Sequence, residues 1–260
     1  NNSEYKSIYN QINLSNELDF DFREDVRNIS ALKEAINKAK PDIVVHLAAQ
    51  SLVTYGYENP IETFEVNSIG TINLLLAVNQ SKKDLPLLII TTDKVYKSAQ
   101  GKTPHNEGDI LGGKDPYSAS KVIADYATQL WSEVYQNQPI AIARAGNVIG
   151  GGDVAKDRLI PDLVSKIINK DPILLRSPNS VRPWQHVLDC LNGYMILADK
   201  LLKNEFNGVV NFGPKRGEFR SVSEVADIVI KYWNPNLSWS QETKQKYVEK
   251  LYLTLNSDKA

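Results

Sequence analysis

Two short stretches hold residue types that could carry proton chemistry. The first is an apolar run, Leu87 to Ile90, that ends in Thr91, Thr92, Asp93 and Lys94. The second, Asp115-Pro116-Tyr117-Ser118-Ala119-Ser120-Lys121, sets a tyrosine and a lysine four residues apart, the spacing that puts two side chains on one helical face. A free phenol ionises near pH ~10, too high for a base at neutral pH, and an adjacent ammonium favours the phenolate. Tyr117 and Lys121 therefore read as a tuned phenol, with Thr92 as its hydrogen-bonding partner. The spacing alone also arises by chance on surface helices, where it means an exposed tyrosine and a solvated lysine. Asp93 and Lys94 add an acid and an amine at the same strand end. Elimination of water needs such a pair, an acid for the leaving hydroxyl and a base for a carbon acid beside a ketone.

These side chains meet only if the elements carrying them converge. An apolar run of strand length that ends in polar residues reads as a strand of an open α/β sheet, whose strand ends are where ligands bind. Asp115 can cap a helix with Pro116 at its first position. That helix continues over Val122 to Gln136, with Ile123, Tyr126, Ala127, Leu130 and Val134 expected inward. Upstream, Leu18 to Asp25 reads as a short strand, and Ile29 to Lys40 as a helix with Leu32, Ala35, Ile36 and Ala39 at helical spacing, ended by Pro41. Ile43 to Leu47 reads as a buried parallel strand. Within it His46, with no second ligand nearby, reads as a core residue. Glu62 to Asn79 reads as one long helix with Phe64, Ile69, Ile72, Leu75, Leu76 and Val78 on a wide apolar face. Residues 97 to 114 form a long polar loop containing Gly101, Gly108, Gly112 and Gly113, of a length that is usually functional or mobile. Further on come a strand over Pro139 to Arg144 and a helix over Leu163 to Ile168 led in by Arg158-Leu159-Ile160-Pro161. A helix over Val187 to Leu202, a strand over Val209 to Gly213 and a helix over Ser221 to Trp233 follow, the last with Ser221 and Glu224 spaced as a capping box.

Bulk properties bound the class. The chain has 260 residues, 42% hydrophobic and 23% charged, ordinary for a soluble globular protein of one or two domains. Lys+Arg 30 against Asp+Glu 31 leaves a formal net charge of -1, so no broad basic surface offers itself to nucleic acid or anionic lipid. The single cysteine, Cys190, excludes an intrachain disulfide, and three scattered histidines give no metal-ligand cluster. No apolar run approaches the ~18 residues of a membrane span, and a cytoplasmic protein is the default expectation.

In this order, Thr92, Tyr117 and Lys121 resemble the catalytic triad of the extended short-chain dehydrogenase/reductase superfamily. Longer strings narrow the resemblance: Thr92-Asp93-Lys94-Val95-Tyr96, Leu111 through Lys121, Arg144-Ala145-Gly146-Asn147 continuing to Asp153, Arg158-Leu159-Ile160-Pro161-Asp162, and Arg182-Pro183-Trp184-Gln185-His186-Val187. Together they resemble the CDP-glucose 4,6-dehydratase family of NAD-dependent epimerases and dehydratases, over most of the chain from about Asp25. The resemblance implies an α/β fold, a Rossmann-like doubly wound parallel sheet with a smaller interleaved substrate domain. Residues 1–150 would form a partial NAD-binding domain to which 183–213 return, and 151–260 mainly the nucleotide-sugar domain. That family carries a strand, a Gly-rich phosphate turn and a helix before the position of Asn1 and continues past Ala260. The first βαβ portion and the C-terminal helix are therefore expected to lie outside this sequence, and Gly150-Gly151-Gly152, after a late strand, is not that turn.

The implied cofactor is NAD, with Asp25 and Val26 flanking the adenine and Leu47, Ala48, Ala49 and Gln50 along the nicotinamide ribose and phosphates. Asn67, Thr91, Tyr117, Lys121, Ala145, Asn147 and Val148 complete the implied cofactor set, Asn67 resembling the superfamily's helix asparagine that supports the site. Read without the resemblance, Asp25 is a cap and Ala48 and Ala49 are close packing. The implied substrate is CDP-D-glucose, contacted by Asn147, Arg158, Leu159, Ile160, Arg176, Arg182, Gln185 and His186. The Arg176 and Arg182 guanidinium forks match diphosphate oxygens, and incidental surface ion pairs are the competing account. Trp184 is equally readable as core. In the implied reaction Tyr117, helped by Thr92 and Lys121, removes the 4-hydroxyl proton. Lys94, if its pKa falls well below ~10.4, takes the C5 proton, and Asp93 protonates the departing 6-hydroxyl. Lys94 stands where the related dTDP-glucose dehydratases carry Glu, the departure that points toward CDP-glucose. The resemblance further implies a homodimer or homotetramer that makes deoxysugar and O-antigen precursors without metal, membrane or nucleic acid. Two alternatives stay open: another nucleotide-sugar 4,6-dehydratase or epimerase of the superfamily, and a truncated nucleotide-sugar binder without activity.

Overall fold

A computed structural model describes residues 8–82, 84–97, 103–243 and 250–260; Gly101 of the polar loop lies outside them. In chain order the elements are α1 (Ile8–Gln11), α2 (Ile29–Ala39), β1 (Val44–His46), α3 (Val53–Glu58), α4 (Pro60–Phe64), α5 (Gly70–Ser81), β2 (Leu87–Thr92), α6 (Pro116–Val134) and β3 (Ile140–Ala145). They continue with β4 (Val148–Ile149), α7 (Leu159–Asn169), β5 (Ile173–Leu175), β6 (Val181–Arg182), β7 (Gln185–His186), α8 (Val187–Leu202), β8 (Gly208–Phe212), β9 (Arg220–Ser221), α9 (Val222–Trp233) and β10 (Trp239–Gln241).

The apolar runs pair into a parallel sheet in the order β1-β2-β3-β8. Both faces are covered over β2 and β3, which is why these strands read as nearly continuous hydrophobics, whereas β1, at the edge of the sheet, is not the buried strand its sequence suggests and leaves Val45 39% and Leu47 55% exposed. On one face Cys190, Tyr194, Leu197 and Leu201 of α8 pack against Ala141, Ala143, Val210 and Phe212. On the other, Ile36 of α2 and Leu74, Leu75 and Val78 of α5 pack against Leu87, Ile89 and Ile140. The register aligns Thr92 with Ala145 and Ala145 with Phe212, so three strands end together at one edge. A second core, Leu163, Ile173, Leu175, Ala226 and Ile230, joins α7, α9 and β5, with β10 parallel to β5. Short pairs, β4 with β7 and β6 with β9, bridge toward the sheet edge.

Four other expectations change. Leu18 to Asp25 forms no strand. Its apolar residues alternate with aspartates and have no neighbouring ladder, so the segment is held by local contacts: Tyr9 Oη donates to Asp21 at 2.7 Å, and Phe20 and Phe22 stack. The long helix over 62–79 is interrupted by a π-helical turn, Glu65–Ile69, between α4 and α5. The wider turn rotates the face, burying Asn67 and Ser68 and leaving Ile69 49% exposed; such turns concentrate at functional sites. On α6 the stripe expected inward points out, with Ile123 43%, Tyr126 51%, Leu130 61% and Val134 62% exposed. The inner face instead carries Tyr117, Ser120, Lys121, Ala124, Asp125 and Thr128, because it meets a strand end and a buried arginine rather than an apolar layer. The loop before α6 is pinned over its described part, with Gly112 N donating to Val95 O at 2.8 Å and bridges from Tyr96 to Leu111 and from His105 to Leu255. Its last glycine is obligatory, since a Cβ on Gly113 would lie 2.3 Å from the Ala119 amide nitrogen.

Candidate active site

The start of α6 is fixed by a capping box. Ser118 N donates to Asp115 Oδ1 at 2.9 Å and Asp115 N to Ser118 Oγ at 3.1 Å, with Pro116 in the first turn. This cap turns Tyr117 and Lys121 toward the sheet edge, where they are 8% and 5% exposed. Opposite them β2 ends in a 3-10 turn, Asp93–Val95, for which Thr92 is the N-cap. The Thr92 hydroxyl accepts from Lys94 N at 3.3 Å and donates to Asp93 Oδ1 at 3.1 Å. Thr92, Asp93, Lys94 and Tyr117 thus converge, and among the described residues Asp93 Oδ2 is enclosed with no hydrogen-bond partner.

The electrostatics of this cluster follow from enclosure. Burial raises the Asp93 carboxyl above its usual range, against the pull of Lys94, Arg182, the Thr92 hydrogen bond and Lys250. Burial also pushes the Tyr117 phenol up to about 12, with a hydrogen bond to Thr92 opposing it and the Asp93 charge adding to it. This corrects the expected tuning by Lys121. Its amine points between β1 and β2, donating to the Ile90 carbonyl at 3.0 Å, and burial lowers its own pKa to about 8. Beside it His46, held down at about 4 by burial, is a neutral core residue bonded to Thr71 at 3.1 Å.

The other expected site residues divide. Asn67 is fully enclosed, so it supports the site instead of lining the cofactor. Its Oδ1 accepts from Gln50 N at 2.8 Å, and its Nδ2 donates to Gln50 O and to Ser120 Oγ, each at 2.9 Å. Ser120 Oγ in turn donates to Tyr117 O at 2.7 Å. Thr91 is likewise withdrawn, giving its hydroxyl to Asp125 Oδ2 at 3.0 Å. Asp25 is exposed and gripped by Arg27 at 2.7 and 3.0 Å, which holds it at about 2. Val26 packs over Gly70. Leu47 and Ala48 are exposed and Ala49 and Gln50 half-buried at the end of β1. Small residues there, beside an amine with three protons and a single carbonyl partner described, fit the sugar and phosphate edge of a dinucleotide.

On the substrate side, Arg182 is buried and faces Asp93, and Arg158 faces Tyr117 while bonding Asp153 at 3.0 Å and Ser51 at 2.7 Å. Ala145 closes β3, Asn147 O accepts from Gln185 N at 2.9 Å, and Val148 is exposed. Gln185 Nε2 donates to Phe212 O at 3.0 Å. Arg176 is held by Asp157 at 3.2 Å. Leu159 and Ile160 pack on the second core, and His186 caps α8 by accepting from Leu188 N at 3.2 Å; these three do structural work. Trp184 Nε1 donates to Arg220 O.

Sequence reasoning missed the support beneath the cluster. Arg144, 1% exposed, forks onto Asp125 at 2.7 and 2.8 Å and reaches Tyr96 Oη at 3.0 Å and Glu107 O at 2.9 Å. Tyr96 Oη continues to Asn211 Oδ1 at 2.6 Å. The signal was present: an arginine closing an apolar strand and an aspartate inside a core-facing helix each demand a buried partner.

A family model described as GDP-mannose 4,6 dehydratase matches residues 1–258. The chain is 38% identical over 246 residues to CDP-glucose 4,6-dehydratase of Salmonella typhimurium, covering 91% of this chain and 68% of that protein. Among solved structures it is similar to UDP-glucose 4-epimerase of Thermotoga maritima, with TM-score 0.82, 18% identity and coverage of 92% and 75% of the two chains. It is also similar to dTDP-glucose 4,6-dehydratase of Bacillus anthracis, with TM-score 0.79, 22% identity and coverage of 99% and 77%. With Thr92 and Tyr117 meeting at the edge of a Rossmann-like sheet and Lys121 one turn along α6, these matches mean that the chain belongs to the GDP-mannose 4,6 dehydratase family and, within it, is similar to CDP-glucose 4,6-dehydratase.

Proposed function

We propose that this chain dehydrates CDP-D-glucose with bound NAD, giving CDP-4-dehydro-6-deoxy-D-glucose. The observation that carries the reading is Asp93, an enclosed carboxyl with one oxygen unpartnered among the described residues, beside Thr92 and Tyr117 and facing Lys94 and Arg182. Moving hydrogen to and from C4 needs no such acid, whereas expelling a hydroxyl does. The similarity to the Salmonella typhimurium protein supports the same reading.

NAD, when bound, supplies the acceptor for hydrogen at C4 and the donor at C6. Thr92 and Tyr117 hold the sugar 4-hydroxyl, and Tyr117 takes its proton. Burial alone keeps that phenol too weakly acidic, so the step requires the charge of Lys121 to face it in the filled site. The C4 ketone acidifies C5, Lys94 removes the C5 proton, and Asp93 gives its proton to the departing 6-hydroxyl, which leaves as water. Arg158, Arg182, Asn147 and Gln185 hold the nucleotide diphosphate, while Arg176 joins them by exchanging the Asp157 carboxylate for phosphate. On this reading residues 1–150 with 183–213 serve the cofactor and 151–260 mainly the nucleotide sugar. The proposal includes a homodimer or homotetramer, supported by the exposed stripe on α6, acting in the cytoplasm on deoxysugar and O-antigen precursors. No described helix is long and apolar enough to cross a membrane.

The test is incubation of the full-length protein with NAD and, separately, CDP-, UDP- and dTDP-glucose, followed by the alkali-induced absorbance of a 4-keto sugar nucleotide. Signal with CDP-glucose alone is expected. Signal with another nucleotide in its place would transfer the reading to a different 4,6-dehydratase, and silence with all three would overturn it.

A further inference from the structure

The surroundings of Asp93 include a residue from the far end of the chain. Residues 250–256 run as an extended strap between two parts of the site. On one side Val181 N donates to Leu251 O at 2.8 Å and Leu253 N to Val181 O at 3.2 Å. On the other His105 N donates to Thr254 O at 2.9 Å and Asn256 N to His105 O at 2.8 Å. Leu253 and Leu255, each 1% exposed, fix the strap in the core. It is thereby locked to the strand that carries Arg182 and to the loop that leads into α6.

Lys250 begins this strap, and its half-buried amine donates to the carbonyl of Tyr96 at 2.7 Å. Tyr96 is the C-cap of the 3-10 turn that holds Asp93, and its own amide donates to Asp93 O at 3.4 Å. The amine therefore grips the turn at its closing residue. The groups facing it are Asp93 and Lys94 from that turn and Lys114 and Asp115 from the start of α6. Those facing Asp93 are Thr92 and Lys94 on its own element, Tyr117 on α6, Arg182 on β6 and Lys250 on the strap.

We infer that Lys250 is a positioning residue for Asp93, anchoring the acid's turn through the Tyr96 carbonyl and adding its positive charge to those of Lys94 and Arg182 around the carboxyl. The inference rests on the proposed dehydration and deepens it. An acid must hold its proton to work, so water loss fails as pH rises through the value at which Asp93 ionises. Removing a nearby cation disfavours the carboxylate and moves that limit upward.

The experiment compares Lys250→Met, which keeps the length of the side chain without its charge, with Lys250→Arg, which keeps charge and donor. In Lys250→Met the alkaline limit of water loss should rise by roughly half a pH unit, less than a contacting cation would give. Lys250→Arg should restore the original limit. An unmoved limit in Lys250→Met, or the same movement in Lys250→Arg, would overturn the inference. Infrared titration of the Asp93 carboxyl without substrate, assigned by difference from Asp93→Asn, must show the same half-unit rise. This second readout keeps the two failures apart: a protein with no 4-keto product sinks the dehydratase reading, while an Asp93 titration blind to Lys250→Met sinks this one.

Discussion

Asp93→Asn is expected to oxidise CDP-glucose at C4 and to exchange the C5 hydrogen with solvent, yet to lose water more slowly by about 10²–10⁴-fold, the contribution of a positioned general acid. The amide preserves the shape of the enclosed side chain and can still accept from Thr92, but it has no acidic proton to give. Lys94→Ala should fail one step earlier, retaining C4 oxidation while losing C5 exchange. Deuterium uptake at C5, measured beside reduced-nicotinamide absorbance, separates the two blocks. Normal water loss in both variants would strip Asp93 and Lys94 of their assigned roles.

The largest expected effect on stability is at Arg144. Its guanidinium and the Asp125 carboxylate are 1% and 0% exposed and meet at 2.7 Å, with Thr91 also committed to Asp125. Arg144→Met leaves that carboxylate buried without its charge partner, a defect that costs about 3–5 kcal/mol. This is a large part of the ~5–15 kcal/mol that holds a domain together. Urea unfolding of the full-length protein reads the loss as a lower midpoint. Replacing both partners, Arg144→Met with Asp125→Leu, should recover much of it, because an apolar pair of similar volume carries no uncompensated charge. A single variant as stable as the unsubstituted protein would mean that the buried pair contributes nothing.

How much of this was legible beforehand depends on whether the information is local. The helix over Val187–Leu202, the cap at Asp115, the capping box at Ser221, and the strand ends at Thr92 and Ala145 are set by neighbouring residues, and they form as read. Periodicity also found the stripe Ile123, Tyr126, Leu130 and Val134, but a stripe does not say what it faces. The opposite side of α6 meets polar groups, so the apolar side turns outward. The Tyr117 and Lys121 spacing gave the shared face and missed the direction of the amine, since the Ile90 carbonyl that receives it belongs to another element. Lys250 was invisible for the same reason, lying 154 residues from the Tyr96 carbonyl it grips.

In the proposed reaction hydrogen leaves C4, water leaves across C5 and C6, and the same hydrogen returns to C6. CDP-glucose carrying deuterium at C4, incubated with the full-length protein and NAD, tests this in a single spectrum. The predicted product is a 4-keto sugar nucleotide whose C6 methyl group carries the deuterium. Deuterium still at C4, in unchanged CDP-glucose or its C4 epimer, would contradict the dehydration and leave the chain an epimerase or a binder.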